Sequence, residues 1–323
     1  MSATKEHPVQ ETSATPPAPG RSTRLSDRGL AVAFISPAML LLLAMSVFPL
    51  LWALYLSFTD YSATRDAPAR FIGFRNYTDL WHDRLFWTWP PSRGSAVWNT
   101  LYYTAIVVPC QMALGLSLAL IVNARIRGKT FFRASYYFPS LTSSAASAAI
   151  AIYILSADGL LNKVLSGIEG HPVHTPWFAQ SSTALESIMG LNIWLTSGTV
   201  MLFYLATLQS IPTDVYEAAA IDAASRWRIF WRITFPLLKP GHFFVAVLSV
   251  IGCLKIFDQA FIVSGGAGGP AYSTLTAVLY LYQKAINDVA WGYAAAMGVV
   301  LFIGIFIFTL IQRLLFGRSE VGY

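Results

Sequence analysis

Six long apolar stretches constrain the fold of this chain more than any other feature of its sequence. A helix needs roughly 20 apolar residues to cross about 30 Å of hydrocarbon, and each stretch is long enough. Backbone polar groups have no water to bond there, so such segments fold as helices. The sequence predicts an all-α, polytopic membrane protein with about six transmembrane helices, near residues 30–58, 98–122, 134–156, 187–208, 242–263 and 291–315.

The composition agrees with this fold class. Charged residues make up 12% of the 323 residues, and hydrophobic residues make up 55%. A soluble protein carries about 25% charged residues, so this chain has too few to cover a surface in water. The net charge of +6 does not predict nucleic-acid binding, because the basic residues lie in short segments between the apolar stretches.

The ends of the chain differ from its centre. Residues 1–29 are polar and rich in Pro, Ser and Thr, which predicts a disordered cytoplasmic tail. The apolar run after them exceeds the 7–15 residues of a signal-peptide core, so it is interpreted as a retained first span. The transmembrane domain is expected over residues 30–316, and residues 317–323 form a C-terminal tail.

The distribution of Lys and Arg predicts the orientation. Cytoplasmic termini place fourteen of these residues on the cytoplasmic side and seven on the opposite side. Cytoplasmic segments are enriched in positive charge, so both termini are expected in the cytoplasm.

Neither cysteines nor histidines predict a metal site. Cys110 and Cys253 fall inside apolar runs, which favours buried small side chains over a disulfide. His171 and His174 lie three residues apart, and the sequence offers no third ligand for them. We expect this chain to bind no metal and no cofactor.

The segment 209–241 is the most informative part of the sequence. Asp214 and Glu217 have the spacing of a capping box, and an Ala-rich run follows. A second short helix is expected over about 225–234, before Pro236 and Pro240. These residues predict two short cytoplasmic helices, which could lie on anionic lipid or dock onto another protein.

This segment resembles the EAA loop of ABC importer permeases, whose pattern is E-A-A-x-x-x-G followed by I-x-x-P. In that family the loop docks into a cleft of a cytoplasmic ATPase. The matching positions are Tyr216, Glu217, Ala218, Ala219, Asp222, Ala223, Arg226, Ile233 and Pro236. Ala223 departs from the pattern, because the family has glycine there. If the turn requires a positive φ, alanine costs on the order of 1 kcal/mol.

Other fragments also resemble carbohydrate-type permeases, over roughly residues 30–316. They include the segments 71–77, 98–101, 159–162 and 257–270. The resemblance implies a type I, MetI-like permease of a prokaryotic cytoplasmic (inner) membrane that is not itself an enzyme. It also implies a second permease, two ATPase subunits that hold ATP and Mg²⁺, an extracytoplasmic solute-binding protein and a sugar substrate.

Candidate substrate contacts come from the same resemblance, because maltose-type permeases hold the sugar with the spans before and after the EAA loop. The positions carried over, with an added aromatic neighbour, are Trp194, Leu195, Thr196, Thr199, Gly252, Lys255, Phe257 and Asp258. Lys255 and Asp258 are the charged residues deep in an apolar span. Their i, i+3 spacing also allows them simply to pair on one helix face.

Two other functions are compatible with a chain of this class. A secondary transporter would use intramembrane acids and internal repeats, and here Asp258 is the one candidate acid. A membrane-embedded transferase would need acids or histidines clustered at one membrane face. No G-x-x-x-x-G-K-[ST] motif occurs in the sequence, so a permease of this kind requires a separate chain to cleave ATP.

Overall fold

A computed structural model of the chain describes residues 24–62, 69–124 and 128–316. The predicted N-terminal tail lies outside this description up to residue 23, and the predicted C-terminal tail, 317–323, lies wholly outside it. Within these ranges the regular secondary structure is helical, apart from an isolated bridge between Thr59 and Phe71, and loops and turns connect the helices. The predicted all-α class is confirmed.

The chain divides into two units, Met1–Leu51 and Trp52–Tyr323. In the first unit, α1 spans Arg24–Leu42 and runs through a π-helical turn at Leu43–Val47 into the helix that begins at Phe48. The helix therefore begins six residues before the predicted start of the first span. The apolar run Leu30–Leu56 is long enough to cross a membrane.

The remaining helices follow in chain order. The bounds are α2 Phe48–Leu56, α3 Arg75–His82, α4 Ala96–Asn123, α5 Lys129–Leu141, α6 Ser144–Ile154, α7 Leu160–Glu169, α8 Ala184–Gln209, α9 Thr213–Ile221, α10 Arg226–Ile229, α11 Phe235–Leu237, α12 Lys239–Leu254, α13 Asp258–Ser264, α14 Ala277–Tyr282 and α15 Trp291–Phe316. Short π-helical turns at Phe230–Thr234 and Gln283–Asn287 follow α10 and α14, and a 3₁₀ turn lies at Pro270–Tyr272.

Five helical stretches in the described residues are long and apolar enough to span a membrane, where six continuous ones were predicted. The predicted third span is wrong as a single helix, because the chain forms α5 and α6 instead. Thr142 and Ser143 adopt extended backbone angles between them, and the Ser143 hydroxyl caps α6 by accepting from the Ala146 N–H. Pro139, one turn earlier, removes a helix donor at this point.

Helix α4 is the central element of the second unit, since it packs along α8 and also contacts α12. Its buried face contributes to one apolar cluster near Val122 and to another near Tyr103. A third cluster around Leu279 joins the start of α4 to α3, α13, α14 and α15. Burial along this helix therefore fixes how the spans are arranged.

Close approach of α8 and α5 depends on Gly198. A Cβ at this position would lie 2.3 Å from the carbonyl oxygen of Tyr136. Nearby, the Ser140 hydroxyl donates to the Leu195 carbonyl at 2.7 Å. Small residues let membrane helices pack backbone to backbone, so Gly198 holds the first half of the broken third span against α8.

Buried asparagines hold the loops that connect the spans. Asn76 donates to the carbonyls of Ser57 and Thr59, and Asn99 donates to those of Tyr272 and Leu275. Both asparagines fall in segments that resemble sugar permeases. An amide can satisfy two carbonyls at once, which explains why a loop fold of this kind requires that residue type.

The side chain of Asn162 contacts four groups of the surrounding loop, with its two amide hydrogens shared among three carbonyls. Its amide nitrogen donates to the carbonyls of Ser156, Ala157 and Thr175, and its oxygen accepts from the indole of Trp177 at 3.0 Å. The side chain is 1% exposed. This one residue therefore holds together the two segments that flank α7.

Asp83 joins three segments that are distant in sequence. Its carboxylate accepts from the phenols of Tyr280 and Tyr293 at 2.7 and 2.8 Å, and also from the Leu85 N–H. Burial raises the pKa of the Tyr280 phenol, and the bond to Asp83 raises it further. The phenol therefore stays protonated and remains a donor.

The EAA-loop helices, defined as α9 and the helical segment 226–237, connect α8 to α12. Helix α9 begins at Thr213 after Pro212, so Asp214 lies in its first turn. The predicted capping box is wrong, because proline holds the N-cap position that Asp214 was expected to fill. The second helix begins after Ser225, runs through Pro236 and ends at a corner at Leu238.

The turn after α9 requires a left-handed residue, and that residue is Ala223. Its φ is +52°. The N–H of Ala224 donates to the carbonyl of Ala219, and the N–H of Ala223 donates to that of Ala220, each at 3.1 Å. This pattern is a Schellman motif, in which glycine normally occupies the left-handed position. The sequence left open whether this turn requires a positive φ, and the structure shows that it does.

Replacing Ala223 with glycine is expected to stabilise the protein. Glycine adopts a positive φ without the steric cost that alanine incurs, so Ala223→Gly should raise the free energy of unfolding by about 1 kcal/mol. Thermal or chemical unfolding in detergent measures this change. Ala220→Gly, inside α9, should have the opposite sign. A destabilised Ala223→Gly variant would contradict the turn.

Replacing Asn162 with alanine is expected to destabilise the α7 loop. Three carbonyls and one indole N–H lose their partner, which should cost about 2 kcal/mol or more. Asn287→Ala is the matched control, because Asn287 is exposed. Equal unfolding temperatures for the two variants would show that the Asn162 bonds carry no stability.

Candidate functional site

A polar cavity of about 400 Å³ lies among the spans of the second unit. It is lined by Gln111, Ser144, Asn192, Thr196, Thr199, Val200, Phe203, Val245, Leu248, Ser249, Gly252, Cys253, Lys255, Ile256, Phe257, Asp258 and Gln259. Hydroxyls, amides and two charged groups therefore converge inside apolar helices, where polar side chains are costly and mark functional positions.

Both interruptions of the spanning helices border this cavity. Ser144 follows the break between α5 and α6, while Lys255, Ile256 and Phe257 form the break between α12 and α13. The second halves of the two broken helices, α6 and α13, pack against each other. Non-helical backbone at membrane depth is tolerated where it is buried or lines a cavity, and this is where both breaks lie.

The predicted contacts on α8 are divided between two faces. Thr196 and Thr199 line the cavity with Asn192 and Phe203, at the spacing of one helix face. The Thr196 hydroxyl lies 2.7 Å from Gln111 Oε1, a bond that joins α8 to α4.

Trp194 and Leu195 do not line the cavity in this chain. Leu195 is buried at 7% exposure, and its carbonyl accepts from Ser140 on α5. Trp194 is 56% exposed on another face of α8. Each residue turns a helix by about 100°, so neighbours of Thr196 point elsewhere.

The predicted contacts after the EAA loop, Gly252, Lys255, Phe257 and Asp258, all lie at the cavity. Lys255 and Asp258 do not share a continuous helix face, because α12 ends at Leu254 and α13 begins at Asp258. The i, i+3 pairing that the sequence allowed does not form: no ion pair in the described residues joins them, and both are exposed.

Several cavity residues were not predicted from the sequence. Gln111, Asn192, Ser249 and Gln259 are polar residues inside apolar stretches. That polarity was an available signal, because membrane helices turn such side chains toward the bundle interior or a cavity. Resemblance to maltose-type permeases pointed only to spans beside the EAA loop, and so it missed Gln111 on α4.

The EAA-loop helices present most of their predicted residues at the surface. Glu217, Ala218, Asp222, Ala223, Arg226 and Pro236 are exposed, Tyr216 and Ile233 are partly buried, and Ala219 is buried. A contact of 3.3 Å between the hydroxyls of Tyr216 and Thr234 joins the two helices. They therefore form a braced pair with one free face.

That free face is apolar as well as charged. Ile221 is 86% exposed and Trp227 is 72% exposed, beside the basic side chains of Arg226 and Arg228. An exposed apolar patch rimmed by charge is typical of a protein–protein contact surface.

The two histidines considered for metal binding each lie beside one carboxylate. His171 is 3.2 Å from Glu169, and His174 is 3.3 Å from Asp158. Groups of three or more possible metal ligands do not occur among the described residues.

Known proteins resemble this chain over most of its length. The sulfoquinovosyl glycerol transport system permease SmoG of Agrobacterium fabrum is 37% identical over 86% of this chain and 87% of that protein. The lactose transport system permease LacF of Rhizobium radiobacter is 33% identical over 86% of this chain and 91% of that protein.

A solved structure shares the fold. In the crystal structure of a bacterial ABC transporter involved in import of the acidic polysaccharide alginate, one chain superimposes with a TM-score of 0.78. The match covers 92% of this chain and 98% of that chain at 21% identity. The predicted MetI-like permease architecture is thereby confirmed.

A family description also matches directly. Residues 111–320, which include the cavity-lining parts of α8 and α12 and the EAA-loop helices, match the binding-protein-dependent transport system inner membrane component. Relatives over the same region are transport permeases and not enzymes. The chain belongs to this family of inner membrane components, the permease subunits of ABC importers.

Proposed function

We propose that this chain is one of two permease subunits that together form the import pathway for a sugar or a related carbohydrate. One observation carries the proposal: the polar cavity lies between α8 and α12, the two spans that the EAA-loop helices connect. A force applied to those helices acts on both walls of the cavity. Family membership argues against the secondary-transporter and transferase alternatives.

The cavity has the chemistry that a carbohydrate requires. Phe257 supplies an aromatic face, while Thr196, Asn192, Asp258 and Gln259 supply groups that bond hydroxyls. The relatives are described as permeases for sulfoquinovosyl glycerol, lactose and arabinooligosaccharides. These names support a carbohydrate for this chain without specifying which one.

The open side of the cavity supports a second permease. Gly252, Lys255 and Asp258 are exposed in the single chain although they belong to an apolar span. A charged side chain at this depth facing lipid would cost about 2.5–3.5 kcal/mol or more. A second protein surface that closes a water-filled path removes that cost.

Separate ATPase subunits are proposed to supply the energy. The chain has no phosphate-binding loop, so ATP and Mg²⁺ would be held by those subunits. The exposed face of the EAA-loop helices, with Ile221 and Trp227, offers them a contact surface. Two ATPases, one for each permease, follow from the paired architecture.

An extracytoplasmic binding protein is the remaining partner. The family name specifies dependence on such a protein, and one structural relative is an alginate transporter in complex with a substrate-bound periplasmic protein. The surplus of Lys and Arg supports a cytoplasmic position for both termini and for the EAA-loop helices. The loops near Asn76, Asn162 and Asp83 would then face the binding protein.

Glu217→Lys is expected to weaken ATPase docking while leaving the spans folded. Glu217 is exposed on α9, and reversing its charge at an interface should lower ATPase affinity on the order of tenfold. Co-purification of the ATPase with the tagged permease measures the effect.

Glu169→Lys is the control for this experiment, because Glu169 is an exposed glutamate at the end of α7, away from the EAA loop. It should retain the ATPase. Undiminished co-purification with Glu217→Lys would contradict the docking assignment.

Asp258→Asn is expected to slow transport through the cavity. Loss of a charged hydrogen-bonding group should reduce the maximal uptake rate about tenfold, measured with whichever labelled sugar binds the partner binding protein. Asp288→Asn is the matched control, since Asp288 pairs with Lys284 outside the cavity. Equal uptake rates for the two variants would exclude Asp258 from the pathway.

A further inference from the structure

A layer of side chains separates the cavity from the EAA-loop helices. Phe203 and Val245 line one end of the cavity. Tyr204 follows Phe203 on α8, and His242 lies about one turn before Val245 on α12. Any displacement that passes from the EAA-loop helices to the cavity along these two spans therefore passes this layer.

Tyr204 and His242 bond directly across the two spans. Tyr204 Oη and His242 Nδ1 lie 2.9 Å apart. Tyr204 is 1% exposed and belongs to the apolar cluster that joins α4, α8 and α12. A polar bond in such surroundings is directional and short, unlike the apolar contacts around it.

His242 also contacts the EAA-loop helices. Its ring centroid lies 4.5 Å from that of Phe235, which stands at the end of the second EAA-loop helix. Phe235 in turn contacts Trp231, with centroids 5.2 Å apart. One imidazole therefore touches α8 through a hydrogen bond and the EAA-loop helices through a tilted ring contact.

Two further contacts hold the same ends of α8 and α12 together. A Cβ on Gly241 would lie 2.7 Å from the Thr207 hydroxyl oxygen, so α12 approaches α8 closely at this level. Phe203 and Phe244 meet edge to face at 5.2 Å. The first feature sets how closely the helices approach and the second is an apolar contact without a fixed direction, whereas the Tyr204–His242 hydrogen bond is directional and so restricts the rotation of one helix relative to the other.

We infer that Tyr204 and His242 are a positioning pair that makes α8 and α12 move as one body with the EAA-loop helices. This inference rests on the proposed function, because it concerns how ATP-driven motion reaches the cavity. Neither residue lies at the cavity or on the proposed ATPase contact surface. Loss of the pair should leave docking and hydrolysis intact and disconnect them from the cavity.

The test places an environment-sensitive fluorescent amino acid at Ser249, on the cavity wall of α12, in the complete transporter. Mg²⁺-ATP with vanadate is the probe, so no sugar is needed. We expect the wild-type signal to change on adding it, and Tyr204→Phe to reduce that change about fivefold, the factor that corresponds to one hydrogen bond. ATPase co-purification and the rate of ATP hydrolysis should stay within about twofold.

Matched variants separate positioning from simple packing. Tyr103→Phe on α4 removes a buried hydroxyl that has no hydrogen-bond partner among the described residues, so its signal should equal that of wild type. His242→Phe keeps a ring against Phe235 but loses the bond, so it should behave like Tyr204→Phe. The double variant should be no worse than either single variant. His242→Asn, with an amide near the Nδ1 position, should recover part of the signal.

Each result decides the inference. A full signal change in Tyr204→Phe, a parallel loss of hydrolysis, or additive effects in the double variant would overturn it while leaving the proposed function intact. A wild-type complex that does not respond at Ser249 would overturn the proposed function as well. If Tyr204→Phe fails to assemble, the comparison of His242→Asn with His242→Phe decides, and equal signals would overturn the pair.

Discussion

The low polarity of the hydrocarbon core controls where this chain can depart from a helix. Backbone groups freed by a break there must find hydrogen-bond partners or water, because each group left unsatisfied costs several kcal/mol. The breaks at Thr142–Ser143 and at Lys255–Phe257 both lie beside one cavity, and the helices that follow them, α6 and α13, pack together. The cavity and the breaks therefore belong to one structural feature.

Hydrogen bonds from a few buried side chains hold the loops and helix ends in place around the cavity and the two helix breaks. Asn99 ties the beginning of α4 to the carbonyls of Tyr272 and Leu275. The hydroxyl of Thr276 accepts from the Leu279 N–H and donates to the carbonyl of Ile256, inside the second break. The loop before α14 thus stabilises the irregular backbone between α12 and α13, and α4 in turn holds that loop through Asn99.

The EAA-loop helices show how a family pattern can tolerate an unfavourable residue. Ala223 stands in a left-handed turn that glycine would adopt without strain. The turn still forms, because two backbone hydrogen bonds and the buried Ala219 hold it. A rigid turn here keeps α9 and the segment 226–237 at a defined angle, which a contact surface for a partner requires.

Much of this architecture could be predicted from apolar length alone. The spans around α4, α8 and α15 appear within three residues of their predicted bounds, because a continuous apolar run of that length has one stable conformation in lipid. The third and fifth spans could not be predicted in the same way, since their interruptions at Thr142 and Lys255 depend on neighbouring helices that accept the freed backbone.

The sequence by itself determined the membrane class and the EAA-loop pattern, since each depends on local composition or on the order of neighbouring residues. Only the tertiary structure decided which polar residues share the cavity. It turned Thr196 inward and Trp194 outward, separated Lys255 from Asp258, and brought Gln111 and the Tyr204–His242 pair into position. These relations join residues far apart in the chain, and the packing of α4, α8 and α12 creates them.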